Sequence, residues 1–454
     1  MQRDLFFDDA LLTTGWSRSV RMGIVDGAIT SVVANATGDG AEYIPGIAVP
    51  GLVNLHSHAF QRGMAGLAEQ RGPADDSFWT WREVMYRFLG ALTPDDVEAI
   101  AALAYVEMLE AGFTTVAEFH YLHHDIDGQP YSDLGEMCAR IAAAAAQTHI
   151  GLTLLPSLYM AGGFNGAAAS PGQRRFLNDL DRFLRLVDRA RQLAAPLAGT
   201  TVGIAPHSLR AVPADELRRL VKTYPDLPVH IHAAEQLREV EECVAALGAR
   251  PVEWLLANAG IDARWCLIHA THMTGEETAA LARSGAVAGL CPLTEASLGD
   301  GIFPAAEFLR AGGRFGVGTD SNIQIDAAAE LRQLEYGQRL SHRARNVLTT
   351  GAGEATGRRL YSEALAAGAQ AVGRTGAGLE VGRPADIVAL DGSHVDFAAV
   401  RDDQWLDKWI FVAGKSAVGT VVARGQAVVA NGRHVSRDPI EARYKRTIQR
   451  LVAA

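Results

Sequence analysis

Short hydrophobic, β-branched runs alternate with longer alanine-rich amphipathic segments through the middle of the chain, between about residues 51 and 375. The short runs have the length of buried strands, and the longer segments have the periodicity of helices. Eight strand–helix units of this kind predict a (β/α)8 TIM-like barrel with insertions. The predicted strands are Leu52–His56, Thr115–Phe119, Gly151–Pro156, Thr201–Ala205, Val229–His232, Cys266–Ala270, Ala286–Cys291 and Arg314–Asp320, and the helices include Asp95–Ala111, Gln173–Ala194, Ala214–Tyr224, Gln236–Leu247 and Glu276–Arg283.

Both ends of the chain have a different pattern, in which short alternating strands are separated by turns. Two such strands flank Asp26-Gly27, a dipeptide typical of a tight hairpin. Similar strands recur after about residue 386. We therefore expect residues 1–50 and 376–454 to form a small β-sandwich with a partly helical C-terminal tail, beside a catalytic barrel of residues 51–375.

Composition narrows the class of protein. The 454 residues carry 42 Lys plus Arg and 52 Asp plus Glu, a formal charge of −10 that disfavours nucleic-acid or anionic-membrane partners. The four cysteines of the chain are scattered along the sequence, and we expect them to be reduced thiols. The acidic N-terminus does not resemble a signal peptide, and no apolar run reaches the length of about 20 residues that spans a bilayer. We expect a soluble cytoplasmic enzyme.

The connection after the first predicted strand is unusually long, and long loops at this end of a barrel carry lids and substrate contacts. It contains the aromatic residues Phe78, Trp79 and Trp81, which we expect to pack the loop down, before a helix predicted near Glu83–Leu89.

Metal-ligating side chains fall at the C-terminal ends of the predicted strands, the face on which such barrels keep their sites. His56 and His58 lie two apart in an extended segment, so both imidazoles can point to one side. A lone His-x-His is weak evidence, but donors at the ends of three further strands predict a metal-dependent hydrolase. Those donors are His232, His269 and Asp320.

These motifs resemble the amidohydrolase superfamily, over essentially the whole chain. The resemblance is carried by Pro50–His58, His232-x-x-Glu235, His269 and Gly318–Ser321, with Gly382–Val388 in the terminal domain. Within the superfamily, the formimidoylglutamate deiminases are the narrower match. That match is carried by His56–Arg62, Phe78–Arg82, Glu118–His124 and Cys291–Glu295.

The lysine content bears on the number of metal ions. Binuclear members of the superfamily usually bridge two metals with a carboxylated lysine at the end of strand 4. Here that strand ends at Ile204–His207, and Lys222 is the first of only four lysines. We therefore predict one divalent ion, most simply Zn²⁺, with Fe²⁺ as the alternative. Its ligands would be His56, His58, His232 and Asp320.

The resemblance also implies roles in catalysis. Glu235 would take a proton from water and pass it to the leaving nitrogen, while His269 and Asp320 orient and deprotonate the attacking oxygen. The implied reaction is hydrolytic deimination of N-formimidoyl-L-glutamate to N-formyl-L-glutamate and ammonia. For Glu235, a purely structural role at a helix N-terminus is the competing interpretation.

A dicarboxylate substrate needs cationic and hydrogen-bonding partners, preferably arginine. Arg82 and Arg210 are the candidates, with Arg62 a weaker competitor to Arg82. Further hydrogen bonds are expected from Gln61, Tyr121 and His207. Two rival functions stay open here: a purine- or pyrimidine-type deaminase of the same superfamily, and a non-catalytic scaffold with this fold. From the superfamily we also expect a homodimer.

Overall fold

The computed structural model describes residues 2–72 and 76–453. Strands from both ends of the chain join in one hydrogen-bonded sheet. In it, Ile387–Leu390 pairs antiparallel with Ile47–Pro50, and Gln2–Leu12 pairs with Ile47–Pro50 in parallel. The prediction of one β-rich unit built from both termini is confirmed. Its strands are β1 (Gln2–Leu12), β2 (Gly15–Val25), β3 (Ala28–Val33), β4 (Glu42–Tyr43), β5 (Ile47–Pro50), β15 (Ile387–Leu390), β16 (Val418–Ala423), β17 (Gln426–Ala430) and β18 (Arg433–His434).

The predicted hairpin joins β2 to β3. Val25 pairs with Ala28, and the two residues between them, Asp26 and Gly27, have φ of 48° and 82°. Positive φ at both central positions is the requirement of the tight turn that suits twisted strands. The exact boundaries predicted for the two domains stay a prediction.

The middle of the chain forms a ring of parallel strands. Two arrays of hydrogen-bonded parallel strands, one within residues 52–206 and the other within residues 229–317, make up this ring. Isolated bridges from Ile204 to Val229 and from Ser57 to Asp320 join them. The predicted barrel is confirmed, with its fourth strand split in two. The strands are β6 (Leu52–Ser57), β7 (Phe113–His120), β8 (Gly151–Leu158), β9 (Thr201–Val202), β10 (Ala205–Pro206), β11 (Val229–Ala233), β12 (Trp265–His269), β13 (Val287–Leu290) and β14 (Arg314–Val317).

Within the described residues, most helices lie between or after the barrel strands, and the last two follow strands of the terminal sheet. The helices are α1 (Phe78–Leu89), α2 (Pro94–Glu110), α3 (Glu136–Thr148), α4 (Leu180–Ala194), α5 (Ala214–Thr223), α6 (Leu237–Leu247), α7 (Pro251–Asn258), α8 (Gly275–Ser284), α9 (Pro292–Leu298), α10 (Ala305–Arg310), α11 (Ala327–His342), α12 (Thr356–Ala371), α13 (Asp403–Lys408) and α14 (Arg437–Ala453). Over the described residues, none of these helices has the length and apolarity needed to cross a bilayer.

Three predicted boundaries were wrong, each for a local reason. The helix predicted from Glu83 begins at Phe78, because the Ser77 side chain accepts the Trp79 N–H and caps it. The helix predicted from Gln173 begins only at Leu180, where Asp179 is the cap. The last barrel strand ends at Val317 and not at Asp320.

Candidate active site

Four donor side chains meet at the mouth of the barrel where β6, β11 and β14 end. His56 and His58 come from the end of β6 and His232 from β11, whereas Asp320 lies just beyond β14. Nε2 of His232 lies 3.1 Å from Nε2 of His56 and 3.4 Å from Nε2 of His58. Oδ1 of Asp320 lies 3.3 Å and 3.4 Å from the same two nitrogens. All four side chains are buried.

Asp320 reaches this group through a turn that is pressed against β6. Its N–H donates to the His56 carbonyl at 2.9 Å, and its own carbonyl accepts the His58 N–H at 2.9 Å. Asp320 has φ of +44°, a left-handed conformation that cannot continue a strand. At Gly318, a Cβ would lie 2.7 Å from the His56 backbone nitrogen, so only glycine permits this approach.

The ring nitrogens that face each other carry lone pairs. Nδ1 of His58 donates to the Phe119 carbonyl at 2.7 Å, and Nδ1 of His232 donates to the His207 carbonyl at 2.9 Å. A carbonyl oxygen only accepts, so the proton of each neutral ring is on Nδ1. The 3.4 Å contact between the two Nε2 atoms therefore joins two lone pairs and cannot be a hydrogen bond.

Burial keeps these imidazoles neutral. It lowers the pKa of His56 to about 3 and lowers the pKa values of His58 and His232 below their ordinary range. For Asp320, burial raises the pKa, but the hydrogen bond to His56 and the surrounding rings outweigh it, so the pKa is lowered. The carboxylate is ionised.

Two imidazole lone pairs, a third neutral imidazole and one carboxylate converge in a buried site, and this donor set fits a divalent cation. A four-coordinate zinc with bonds of about 2.0–2.1 Å separates neighbouring donors by about 3.3–3.4 Å, since a tetrahedron's edge is about 1.63 times its bond. The observed separations of 3.1–3.4 Å agree with that value. Carbonyl oxygens that orient the rings are the usual outer partners of metal-binding histidines.

His269 and Glu235 lie next to these donors. Nε2 of His269 is 3.6 Å from Oε1 of Glu235 and 3.8 Å from Oδ2 of Asp320, and its Nδ1 donates to Oε1 of Glu295 at 3.2 Å. Burial lowers the pKa of His269, but these carboxylates outweigh it and raise that pKa to about 10. Burial raises the pKa of Glu235 to about 7, against the opposing effect of His269. The site thus pairs an imidazolium with a carboxyl group poised near neutrality.

The position of Glu235 differs from that of a helix cap. The N–H groups of Ala234 and Glu235 donate to the Glu239 carboxylate at 3.3 Å and 3.1 Å, so Glu239 satisfies the backbone before α6. The Glu235 side chain lines the cavity above the donor group instead. This geometry favours the catalytic interpretation over the structural one.

A cavity opens over the donor group, and all five predicted substrate-binding residues line it. Nε2 of Gln61 donates to the Tyr121 hydroxyl at 2.9 Å, which leaves the buried Oε1 of Gln61 without a partner. The other three are Arg82, His207 and Arg210. Segments far apart in sequence thus place two arginines, Arg82 and Arg210, on one wall of the cavity.

The competing candidates point elsewhere. Arg62 is bonded to Glu107 at 2.7 Å and 3.0 Å. Nε2 of His123 lies 2.9 Å from the Ser157 carbonyl, and that of His124 lies 2.9 Å from the Leu177 carbonyl. These two histidines are buried loop residues outside the donor group. His120, the last residue of β7, is also buried and lies outside that group.

Several lining residues were not predicted. Tyr86 lies on α1 four residues after Arg82, a spacing that would have placed it on the same face had the helix start been known. Tyr159 follows β8, and its ring centroid is 4.5 Å from that of His207. Outside the lining, Glu295 holds Nδ1 of His269, and the sequence did not predict this role. Of the aromatic loop residues, Phe78 and Trp81 line the cavity.

Comparison with known proteins agrees with this geometry. The sequence model of the amidohydrolase family matches residues 47–428. The chain belongs to the amidohydrolase family. It is thus a hydrolase, and its donor group indicates a divalent metal. A second model, "Formimidoylglutamate deiminase HutF, N-terminal domain", matches residues 3–44 of this amidohydrolase.

Individual relatives are also similar over nearly the whole chain. A formimidoylglutamate deiminase of Pseudomonas aeruginosa is 51% identical, over 96% of either chain. A crystal structure of an amidohydrolase from Brucella melitensis superposes with a TM-score of 0.96 at 53% identity, covering 99% of this chain and 100% of that one. A 5-methylthioadenosine/S-adenosylhomocysteine deaminase of Natronomonas pharaonis is 30% identical over 81% of this chain and 79% of the relative.

Proposed function

We propose that this amidohydrolase hydrolyses N-formimidoyl-L-glutamate to N-formyl-L-glutamate and ammonia. The observation that carries the proposal is the placement of Arg82 and Arg210 on the wall of the cavity that also contains Glu235 and His269. A dicarboxylate with a formimidoyl group needs both features at once. The deiminase relative and the matching N-terminal family model support the same substrate.

The proposed cofactor is one divalent ion per chain, Zn²⁺ before Fe²⁺. His56, His58, His232 and Asp320 would hold it, because their donor atoms lie within 4.8 Å of one another and four of the separations are 3.1–3.4 Å. The ends of β9 and β10 offer no lysine for a second ion. When bound, the ion supplies Lewis acidity and lowers the pKa of water toward neutrality.

The protein's own groups then move the protons. Water adds to the formimidoyl carbon while its proton passes to the Glu235 carboxylate, whose pKa near 7 suits both gain and loss of a proton. Glu235 delivers this proton to the formimidoyl nitrogen, which becomes an amino group. It then moves the proton of the newly added hydroxyl to the same nitrogen, so that the C–N bond breaks, the C=O bond of the formyl group forms and ammonia leaves. His269, held by Glu295, directs its Nε2–H toward the cavity and orients the attacking oxygen together with Asp320.

The arginines would hold the two carboxylates through charge-assisted hydrogen bonds, and Gln61, Tyr121 and His207 would add neutral ones. A purine or pyrimidine ring is neutral and offers these arginines no partner. That cationic wall disfavours the rival deaminase function, although more distant relatives carry it.

The decisive experiment incubates the metal-loaded enzyme with N-formimidoyl-L-glutamate and quantifies ammonia and formamide. Deimination releases ammonia and leaves N-formyl-L-glutamate, whereas cleavage at the other C–N bond releases formamide and glutamate. Stoichiometric ammonia is the expected result. Formamide as the main product, or no turnover, would rule the proposed reaction out.

Three further expectations accompany the proposal. We expect a homodimer, which sedimentation analysis would detect. We expect a cytoplasmic location, consistent with four buried, unpaired cysteines. We also expect no nucleic-acid partner, given the net charge of −10.

A further inference from the structure

The two arginines at the cavity mouth lie beside aromatic rings and without hydrogen-bonded carboxylates. Within residues 2–72 and 76–453, no protein acceptor lies within hydrogen-bond distance of Arg82. Nε of Arg210 also lacks a hydrogen-bond partner and lies 3.9 Å from Oε2 of Glu239. A guanidinium taken out of water needs some compensating contact.

For Arg82 that contact is the ring of Trp79, on the first turn of α1, and for Arg210 the same ring adds to the attraction of Glu239. The guanidinium carbon of Arg82 lies 4.6 Å from the Trp79 centroid, and that of Arg210 lies 6.0 Å from it. The Tyr86 ring lies 5.6 Å from the same carbon of Arg82. Positions 79, 82 and 86 are spaced by three and four residues, so they share one face of the helix.

We propose that Trp79 is a positioning residue that holds Arg82 and Arg210 ready for the substrate's carboxylates. This inference rests on the proposed function. A cation–π contact uses the face of a guanidinium group and leaves its N–H edge free for a bidentate carboxylate. A protein carboxylate in the same place would occupy those donors and compete with the substrate.

The same ring also offsets repulsion among neighbouring cations. A third arginine, Arg238, lies 4.5 Å from the Trp79 centroid, but its side chain is 60% exposed and bonded to Glu242 at 2.7 Å. Arg238 is therefore neutralised outside the cavity. The two inner arginines keep the ring as their shared partner and stay available inside it.

The test compares Trp79→Leu, which keeps apolar bulk, with Trp79→Phe, which keeps an aromatic face. For N-formimidoyl-L-glutamate, we expect Trp79→Leu to raise KM about 5–30-fold with kcat nearly unchanged, the effect of losing two cation–π contacts. Trp79→Phe should recover most of the loss. For N-propylformamidine, which has no carboxylate, kcat/KM should not change.

Calorimetric binding of N-formyl-L-glutamate gives a readout that does not depend on turnover, and Trp79→Leu should weaken it by the same factor. The matched control is Trp254→Leu, which removes a tryptophan on α7 that also has a cation, Arg218, 5.9 Å from its ring centroid but does not line the cavity. It should leave KM unchanged in the folded protein.

Unaltered dicarboxylate binding in Trp79→Leu would overturn the inference, whatever the ammonia assay shows. So would an equal loss of activity on both substrates, since that indicates a general disturbance of α1. If the parent enzyme binds N-formyl-L-glutamate but releases no ammonia from the formimidoyl compound, the proposed function fails and the role of Trp79 is still decided by binding.

Discussion

Replacing Glu235 by glutamine should separate proton transfer from metal binding. The side chain is 6% exposed, and its Oε1 lies 3.6 Å from Nε2 of His269, so bulk water has little access to replace it. It does not belong to the group of four donors His56, His58, His232 and Asp320, whose donor atoms all lie within 4.8 Å of one another. Glutamine keeps the shape of the side chain but cannot carry a proton between water and the leaving nitrogen.

The expected loss follows from that geometry. A positioned acid–base group contributes about 10²–10⁴ in rate, which corresponds to about 2.7–5.4 kcal/mol of transition-state stabilisation. We expect kcat to fall by that factor with one metal ion per chain retained. The amide oxygen of glutamine could still accept the Nε2–H of His269, so the variant tests proton transfer and not the loss of this contact.

The assay measures ammonia release and metal content on the same protein sample. Glu241→Gln is the matched control, because it makes the same chemical change at an exposed position of the same helix, α6. Its turnover should equal that of the parent enzyme. Near-normal turnover in Glu235→Gln, with the metal present, would show that Glu235 does not transfer protons and would assign it a structural role.

Three other substitutions test separate parts of the structure. His232→Ala removes one of four donors, so metal content and turnover should be lost together; full metal occupancy would contradict the assigned ligand set. Arg82→Ala or Arg210→Ala should lower kcat/KM about 10–150-fold, the value of one charged hydrogen bond, mainly through KM and with metal retained; lysine should rescue only partly. Unchanged kcat/KM in both alanine variants would remove the case for a dicarboxylate. Asp96→Asn should destabilise the fold by about 1 kcal/mol, because this carboxylate caps α2 through Thr93 and pairs with Arg450 of α14. Bonding to these partners outweighs burial and lowers the pKa of Asp96, so the ionised form's contribution is present above its ordinary value of 3.8 and is lost as pH falls through the lowered pKa. Thermal unfolding should therefore show a difference at pH 7 that narrows in acid, and a gap of constant size would disprove the linkage.

The chemistry of the donor group could be predicted from the amino-acid sequence alone. His56 and His58 share one side of a strand because side chains alternate along it, and His232 lies at the end of a parallel strand of the same ring. Carboxyl ends of such strands meet at one mouth, so residues far apart in sequence could be assigned to one site. The absence of a lysine near strand 4 likewise limited the metal arrangement without any coordinates.

The way in which the other side chains approach that site is visible only in the folded structure. Asp320 reaches the histidines through a left-handed turn, and the close contact at Gly318 that permits this turn depends on β6, over 250 residues earlier in the chain. Likewise, Trp79 on α1 lies beside Arg210, which follows β10 and is over 100 residues later in the chain. A residue's local pattern records its secondary structure and burial, whereas such contacts depend on how distant loops pack. For that reason the donors could be predicted from spacing, and the partners that orient them could not.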